Sequence, residues 1–478
     1  MPADINPTKE QHEILGQVAK TNSNLMVNAL AGTGKTSTLK LIEAASPVKP
    51  ILFLAFGKKN AEDGRKTMAS TTKVSTFNSL GHGIWSQAVG KGFKPDVRKT
   101  GDLYRQLIAD AKPSEKGKLW EAYWPVVEAV GYAKSRGYIP TSHVMHTKRL
   151  CTWEDLIPYF DEEPDDFVHQ QVDHVLNLSI AAAYKGYCDF DDQIYMPALF
   201  SGTFPKFPLV MVDEYQDLNP CNHAMITKLT KSSRLIGVGD PHQSIYAFRG
   251  AQASGMSDAV RAYSMTECDL TVSFRCPEAI VRSVQWHVPK FRWAKVGGNV
   301  AELDRLDVTN LPTEATFICR NNAPLFSLAM RCLSAGIAVN VSGSDIGPKL
   351  VRQMKKLGKE DMTRTALKDA IDEWRAAKED RGSRTAADTA ACMQVFADHG
   401  ANLGQAIAYA EHLFKQDSGP FYFSTGHKAK GLEYPTVVHL DPWLLSQSDP
   451  QDRNLAYVIS TRSSDQLYTV NSNDVRIN

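Results

Sequence analysis

LMVNALAGTGKTSTLKLIEAA, residues 25–45, runs from an apolar, strand-forming stretch through a glycine-rich turn into a helical pattern. An apolar run that ends in such a turn and leads straight into a helix is the opening unit of a parallel α/β sheet. Within ALAGTGKT (29–36), Gly32 and Gly34 let backbone N–H groups turn inward around an anion, Lys35 adds a point charge and Thr36 a hydroxyl. Ala29 stands where the full phosphate-loop pattern has glycine. Strand, loop, Lys-Thr and helix in that order still predict a nucleoside triphosphate site, with Thr36 offered to Mg²⁺.

Similar runs recur on either side. ILFLAF (51–56), LVMVDE (209–214) and LIGVGD (235–240) form one set; ATFICR (315–320), AVNVSG (338–343), TVVHL (436–440) and LYTVN (467–471) form another. The sequence therefore predicts two α/β units with parallel sheets covered on both faces. Each is interrupted by a helical insertion, which places the first core at 1–90 and 189–265 and the second at 266–345 and 420–478. Residues 91–188 and 346–419 are the insertions; in the latter, Leu367, Ala370, Ile371 and Trp374 fall on one helical face, and Leu403, Ile407 and Phe414 on another. The acidic loop DEEPDD (161–166) reads as a solvated turn.

At 478 residues the chain exceeds one ordinary core, and 43% hydrophobic with 22% charged residues places it among folded globular proteins. A net charge of +1 excludes a global positive field, so any polyanion must be held by a local groove. The eight cysteines show no CxxC pair and no histidines at metal-ligand spacing, which reads as buried thiols in a reducing compartment. The first residues, MPADINPTKEQHE, lack the pattern of a signal peptide, and no apolar run approaches the ~20 residues of a membrane span. The expected location is the cytoplasm of a bacterial or phage-infected cell, or the nucleus if the source is eukaryotic.

LVMVDEYQD (209–217) supplies the chemistry that a phosphate loop lacks. A strand delivering Asp213 and Glu214 at its carboxyl end places one carboxylate by Mg²⁺ and the other where it can orient or deprotonate water, which points to hydrolysis.

With these motifs in place, the order of segments resembles a superfamily 1 helicase of the UvrD/Rep group, in a short form similar to the F-box DNA helicases and their phage relatives. The resemblance is carried by NPTKEQ (6–11), ALAGTGKT (29–36), FLAFGKKNA (53–61), STFNSLGH (75–82), DFDD (189–192), VDEYQD (212–217), VGDPHQSIYAFRGA (238–251), LTVSFRCP (270–277), STGHKAKGLE (424–433) and NLAYVISTR (454–462). It implies two RecA-like P-loop NTPase cores that hold ATP between them. Gly32, Thr33, Gly34, Lys35 and Thr36 would bind its phosphates, Gln11 would read adenine, Phe274 would stack on the base and Glu433 would hold the ribose. Lys35, Gln243, Arg275 and Arg462 would converge on the β- and γ-phosphates, with Arg462 as an arginine finger. Tyr246 and Phe248 would offer faces to unstacked bases, and Lys59, Phe77, Asn78 and His427 would also touch DNA. Lys59 and Lys430 read equally well as surface lysines, and the carboxylates of DFDD as scaffold.

The sequence departs from the family pattern at Ala55, often threonine; at Phe248, often tryptophan; at Phe274, often tyrosine; and at Ser463, usually alanine. No nuclease constellation is present and no room for a nuclease domain is expected. The implied activity is an ATP-driven, Mg²⁺-dependent motor on single-stranded DNA that moves 3′ to 5′ and separates duplexes at single-strand/double-strand junctions, alongside replication, repair or recombination proteins. The short second insertion motivates an alternative, a single-strand-stimulated ATPase that strips or remodels DNA-bound proteins with little unwinding. A nucleotide switch without nucleic acid would show no stimulation by DNA.

Overall fold

The computed structural model describes residues 6–246, 254–312, 314–342 and 346–477. Strands β1 (Leu25–Ala29), β2 (Ile51–Ala55), β3 (Thr72–Thr76), β4 (Leu209–Val212), β5 (Arg234–Gly239) and β6 (Thr266–Leu270) form a sheet in the order β3-β2-β4-β5-β1-β6. Every neighbouring pair is parallel. Successive side chains leave opposite faces of a strand, so each apolar run feeds two cores. Leu25, Val27, Ile51, Phe53, Leu209 and Met211 pack against helices Lys9–Lys20 and Lys35–Ala45. Met26, Leu52, Leu54, Val210 and Val212 face the other way, into a core that also holds Trp85, Tyr104, Val126 and Val172.

That second core changes the reading of residues 91–188. Their main helices, Lys99–Asp110, Pro113–Glu121, Tyr123–Arg136 and Asp166–Tyr184, form no separate core but bury their apolar faces together with the sheet. A buried ion cluster ties them to DFDD. Lys134 Nζ lies 2.6 Å from Asp189 Oδ2 and 2.8 Å from Asp192 Oδ1, while Lys99 Nζ lies 2.5 Å from Asp192 Oδ2 and donates to the Ser179 carbonyl at 2.8 Å. The two aspartates also accept each other's backbone N–H groups at 2.9 Å. DFDD is thus scaffold, as the sequence suggested.

The chain divides into two compact units, one running through Ala29 and from Gly34 to Leu270, the other comprising Leu30–Thr33 and everything from Thr271 onward. This corrects the boundary expected at residue 266. β6 pairs in register with β1 along all five residues and belongs to the first sheet. Its sequence, TECDL, is that of an exposed edge strand and carries no apolar signal.

In the second unit β7 (Asn299–Glu302), β8 (Thr316–Cys319), β9 (Val339–Val341), β10 (Phe421–Thr425), β11 (Tyr434–Leu440) and β12 (Ser463–Val470) form a parallel sheet ordered β9-β10-β8-β11-β12-β7. Phe317, Val339, Phe423 and Val438 share one core with Leu367, Ile371, Phe396 and Leu403 of the second insertion. Here too the inserted helices cover the sheet.

His439, on β11, is buried, and its Nε2 meets no hydrogen-bond partner among the described residues. Burial pushes its pKa down from 6.5 to about 4. A folded pKa below the unfolded value means that the unfolded chain binds the extra proton first, so the stabilisation is complete above about pH 6.5 and is lost as the pH falls toward 4. The loss reaches about 3 kcal/mol. Unfolding midpoints of wild type and His439→Phe, followed from pH 7 to 4, should therefore show the shallower pH dependence in the variant; parallel curves would contradict the assignment.

Candidate active site

β4, β5 and β1 are neighbours, so their carboxyl ends bring the Asp213–Glu214 pair, Asp240 and the approach to Lys35 to one edge of the first sheet. In open parallel sheets that edge is where ligands bind. Lys35 opens its helix directly after Gly34, whose φ of 85° is left-handed and favours glycine. Its Nζ stands 3.0 Å from each Glu214 carboxylate oxygen. Burial works against the Lys35 charge, but Glu214, Asp240 and Asp213 outweigh it and raise the pKa above the ordinary lysine value. Burial and the Glu214 charge push Asp213 up to about 7.

Glu214 itself has φ 50°, a left-handed conformation that costs a non-glycine residue about 1–3 kcal/mol. Its N–H donates to Asp213 Oδ1 at 2.9 Å and its Oε2 accepts from Gln216 Nε2 at 2.6 Å. Gln216 Oε1 accepts from the Asp240 N–H, and Asp240 Oδ2 accepts from Gln243 Nε2 at 2.7 Å. Lys35, Asp213, Glu214 and Gln243 are therefore brought together as expected, through two residues, Gln216 and Asp240, that the sequence reading left without a role. Both lie inside quoted motifs, but a single Gln or Asp in a loop signals nothing by itself.

Gln11 is buried, with both ends of its amide engaged: Oε1 accepts from the Thr8 N–H at the start of its helix, and Nε2 donates to Thr38 Oγ1 at 2.9 Å. A Cβ on Gly34 would lie 3.7 Å from that Nε2, which sets Gln11 beside the loop. Thr36 is exposed on the first turn of the Lys35 helix.

A second cluster lies wholly within the second unit. Thr33 Oγ1 closes the turn onto the Leu30 carbonyl at 2.8 Å. Ala31 N–H donates to Tyr457 Oη, Ser273 Oγ donates to the Ala31 carbonyl, and Phe274 N–H donates to the Gly32 carbonyl, each at 2.9 Å. A Cβ on Gly32, at φ 70°, would approach Arg275 Cβ to 2.5 Å, so only glycine fits. Arg275 Nε pairs with Glu433 Oε2 at 2.6 Å, and Phe274 is 54% exposed. Gly32, Phe274, Arg275 and Glu433 thus converge. Arg462 is 1% exposed: Nε donates to the Val458 carbonyl at 2.9 Å, Nη1 to the Leu432 carbonyl at 3.0 Å and Nη2 to Thr461 Oγ1 at 3.2 Å. Its guanidinium is thus anchored on the segments around Val458 and Leu432.

The expected DNA contacts divide. Lys59 is exposed, whereas Tyr246, His427 and Lys430 are half-buried. Phe77 is 3% exposed in the first core, so its ring has no face left for a base; Phe77–Ala88 packs so tightly on the helix Asp192–Leu199 that a Cβ on Gly81 would overlap the Gln193 carbonyl oxygen at 1.8 Å. Asn78 donates to the Phe190 carbonyl at 2.8 Å and to Gln193 Oε1 at 3.1 Å. Both residues serve packing here. Phe248 lies outside the described residues.

Residues 151–264 match the family described as UvrD/REP helicase N-terminal domain, and residues 420–470 match the UvrD-like helicase C-terminal domain. Two stretches of the chain thus match UvrD-like helicase domains. The matched stretches contain Asp213, Glu214, Gln243, Glu433 and Arg462, while the phosphate loop and Arg275 lie outside them. Among similar proteins, F-box DNA helicase protein 1 of Schizosaccharomyces pombe is 26% identical over 291 residues, covering 58% of this chain and 32% of that one. F-box DNA helicase 1 of Gallus gallus is 24% identical over 530 aligned positions, covering 96% and 48% respectively. DNA helicase II of Escherichia coli is 27% identical over 263 residues, covering 50% and 34%. The chain thus spans about a third to a half of the length of these relatives. Among its described residues no helix is long and apolar enough to cross a membrane.

Proposed function

We propose that this chain hydrolyses ATP when bound to single-stranded DNA and uses the cycle to move 3′ to 5′ and to part the duplex at a single-strand/double-strand junction. The observation that carries the reading is the 3.0 Å contact between Lys35 and a strained Glu214 at the carboxyl edge of a parallel sheet. A phosphate-binding cation and a carboxylate suited to activating water meet at one point.

Backbone N–H groups at the helix N-terminus and Lys35 bind the β- and γ-phosphates. Phosphate oxygens compete with Glu214 for Lys35, and the released carboxylate orients a water molecule and takes its proton. Gln243 senses the γ-phosphate, and Arg275 and Arg462 stabilise charge on the transferring phosphoryl group. Gln11 reads the adenine, Phe274 stacks on it and Glu433 holds the ribose. The Thr36 hydroxyl and Asp213 carboxylate are hard oxygen donors that suit Mg²⁺, and the raised pKa of Asp213 marks a buried carboxyl short of positive charge. Bound there, Mg²⁺ would neutralise phosphate charge. Tyr246 and Phe248 stack bases, with Lys59 and His427 beside the strand. DNA is chosen as the polymer because the relatives are named DNA helicases.

The test is steady-state ATP hydrolysis with and without oligo-dT at low salt. Wild type should be stimulated, and Glu214→Gln should lose about 10²–10⁴ of the stimulated rate. Turnover indifferent to oligo-dT would overturn the motor reading. Unwinding of 3′-tailed but not 5′-tailed duplexes then tests direction. Displacement of a bound protein without unwinding would favour the remodelling activity instead.

A further inference from the structure

Gln216 occupies a position that the proposed chemistry does not explain by itself. It sits in the 3₁₀ turn Tyr215–Asp217 after β4, is 2% exposed, and makes no use of its length except to bridge two loops. Its amide donates to Glu214 Oε2 at 2.6 Å, and its carbonyl oxygen accepts from the Asp240 N–H at 3.0 Å. Both ends are oriented without ambiguity, since a carboxylate only accepts and a backbone N–H only donates. The neighbouring strand makes room for it: a Cβ on Gly239 would come within 2.4 Å of Gln216 Oε1. Beyond Asp240 the connection continues. Asp240 accepts from Gln243 Nε2 and from the His242 N–H, and Ser244 Oγ reaches the Gln216 carbonyl at 3.5 Å. One continuous path of hydrogen bonds therefore runs from Lys35 through Glu214, Gln216 and Asp240 to Gln243, three residues before Tyr246.

We infer that Gln216 is a positioning residue that fixes the Glu214 carboxylate and couples it to the loop beginning at Asp240, so that what the loop holds alters how Glu214 is aimed. This rests on the proposed DNA-stimulated ATPase. A shift of the loop displaces the Asp240 N–H, and the rigid amide carries that shift to Glu214 because both of its ends are engaged. A hydrogen bond to a charged group is the stronger kind, and the one to Glu214 sets the direction of the carboxylate.

The experiment compares the purified full chain with Gln216→Leu and Gln216→Glu, measuring kcat and KM for ATP with and without oligo-dT across pH. Gln216→Leu removes both contacts and should lower the DNA-stimulated kcat by about 10–100-fold while KM for ATP stays within about threefold. Gln216→Glu is close to isosteric and keeps an acceptor for Asp240, but it loses the donor and sets a second carboxylate against Glu214. Its stimulated kcat should be low near pH 8 and recover relative to wild type as the pH falls toward about 6, where a shared proton restores a donor. Wild-type stimulation in both variants overturns the role of Gln216, as does a loss in Gln216→Glu that no pH relieves, which is the signature of simple misfolding. Should Gln216→Leu fail to fold, the pH profile of Gln216→Glu decides alone. Absence of stimulation in wild type would instead overturn the DNA-coupled reading on which the inference stands.

Discussion

Lys134→Met is expected to destabilise the first unit by about 3–5 kcal/mol, the cost of leaving a buried charge without its partner. Lys134 and Asp192 are almost completely shielded from solvent, and Asp189 nearly so. Burial works against the Lys134 charge, but Asp192 and Asp189 outweigh it and hold its pKa above the ordinary lysine value; Lys134 and Lys99 in turn overcome burial and bring Asp189 down to about 2. Removing the ammonium leaves Lys99 to face Asp192 and Asp189, with Asp191 also nearby. Lys99 is already strained in this respect, its pKa being lowered by burial and by its proximity to Lys134. Urea unfolding should show the midpoint falling sharply, and the double variant Lys134→Met/Asp189→Asn should recover part of the loss by removing the orphaned charge as well. A single variant within about 0.5 kcal/mol of wild type would mean that water reaches the cluster and screens it.

This cluster also shows where the sequence stops being readable. Lys99, Lys134 and Asp192 come from three separate helices, and nothing in periodicity or composition connects them. The central strands were legible because both faces are buried, which turns them into unbroken apolar runs such as LVMV and ILFLA. Three edge strands, TKVST, TECDL and NVAE, escaped because one side meets solvent and polar residues replace the signal. Missing the second of them displaced the expected boundary between the units. At the candidate site, the nearness of Lys35, Asp213 and Glu214 was legible because each follows an apolar strand run closely in the sequence, and parallel strands bring their carboxyl ends to one edge. Phe77 was harder to read, and its burial in the first core is a feature of packing. An aromatic in a motif can serve a base or a core equally well in the sequence, and only tertiary packing, which leaves Phe77 3% exposed, shows where the ring sits.

A functional loss comparable to that of Glu214→Gln is expected from Lys35→Ala, which should reduce ATP turnover by about 10²–10³-fold, the scale set by removing one preorganised electrostatic contact to a reacting group. Two consequences of the geometry add to that loss. Glu214 is held toward Lys35, so the variant deprives the carboxylate of the partner whose departure to phosphate would release it. Asp213, already raised to about 7 by burial and by Glu214, also loses a neighbouring cation that favours its ionised form. A shortage of carboxylate charge should then appear as a shift of the acidic limb of the residual activity to higher pH, separable from the fall in kcat itself. Lys35→Arg should not rescue the rate, because a planar guanidinium cannot take the place of a compact ammonium at the end of a glycine turn built around it. Rates measured with saturating oligo-dT, for wild type and both variants, check the claim. Full activity in Lys35→Arg would show that the site needs only a positive charge, and that the close approach of Lys35 to Glu214 carries no catalytic weight.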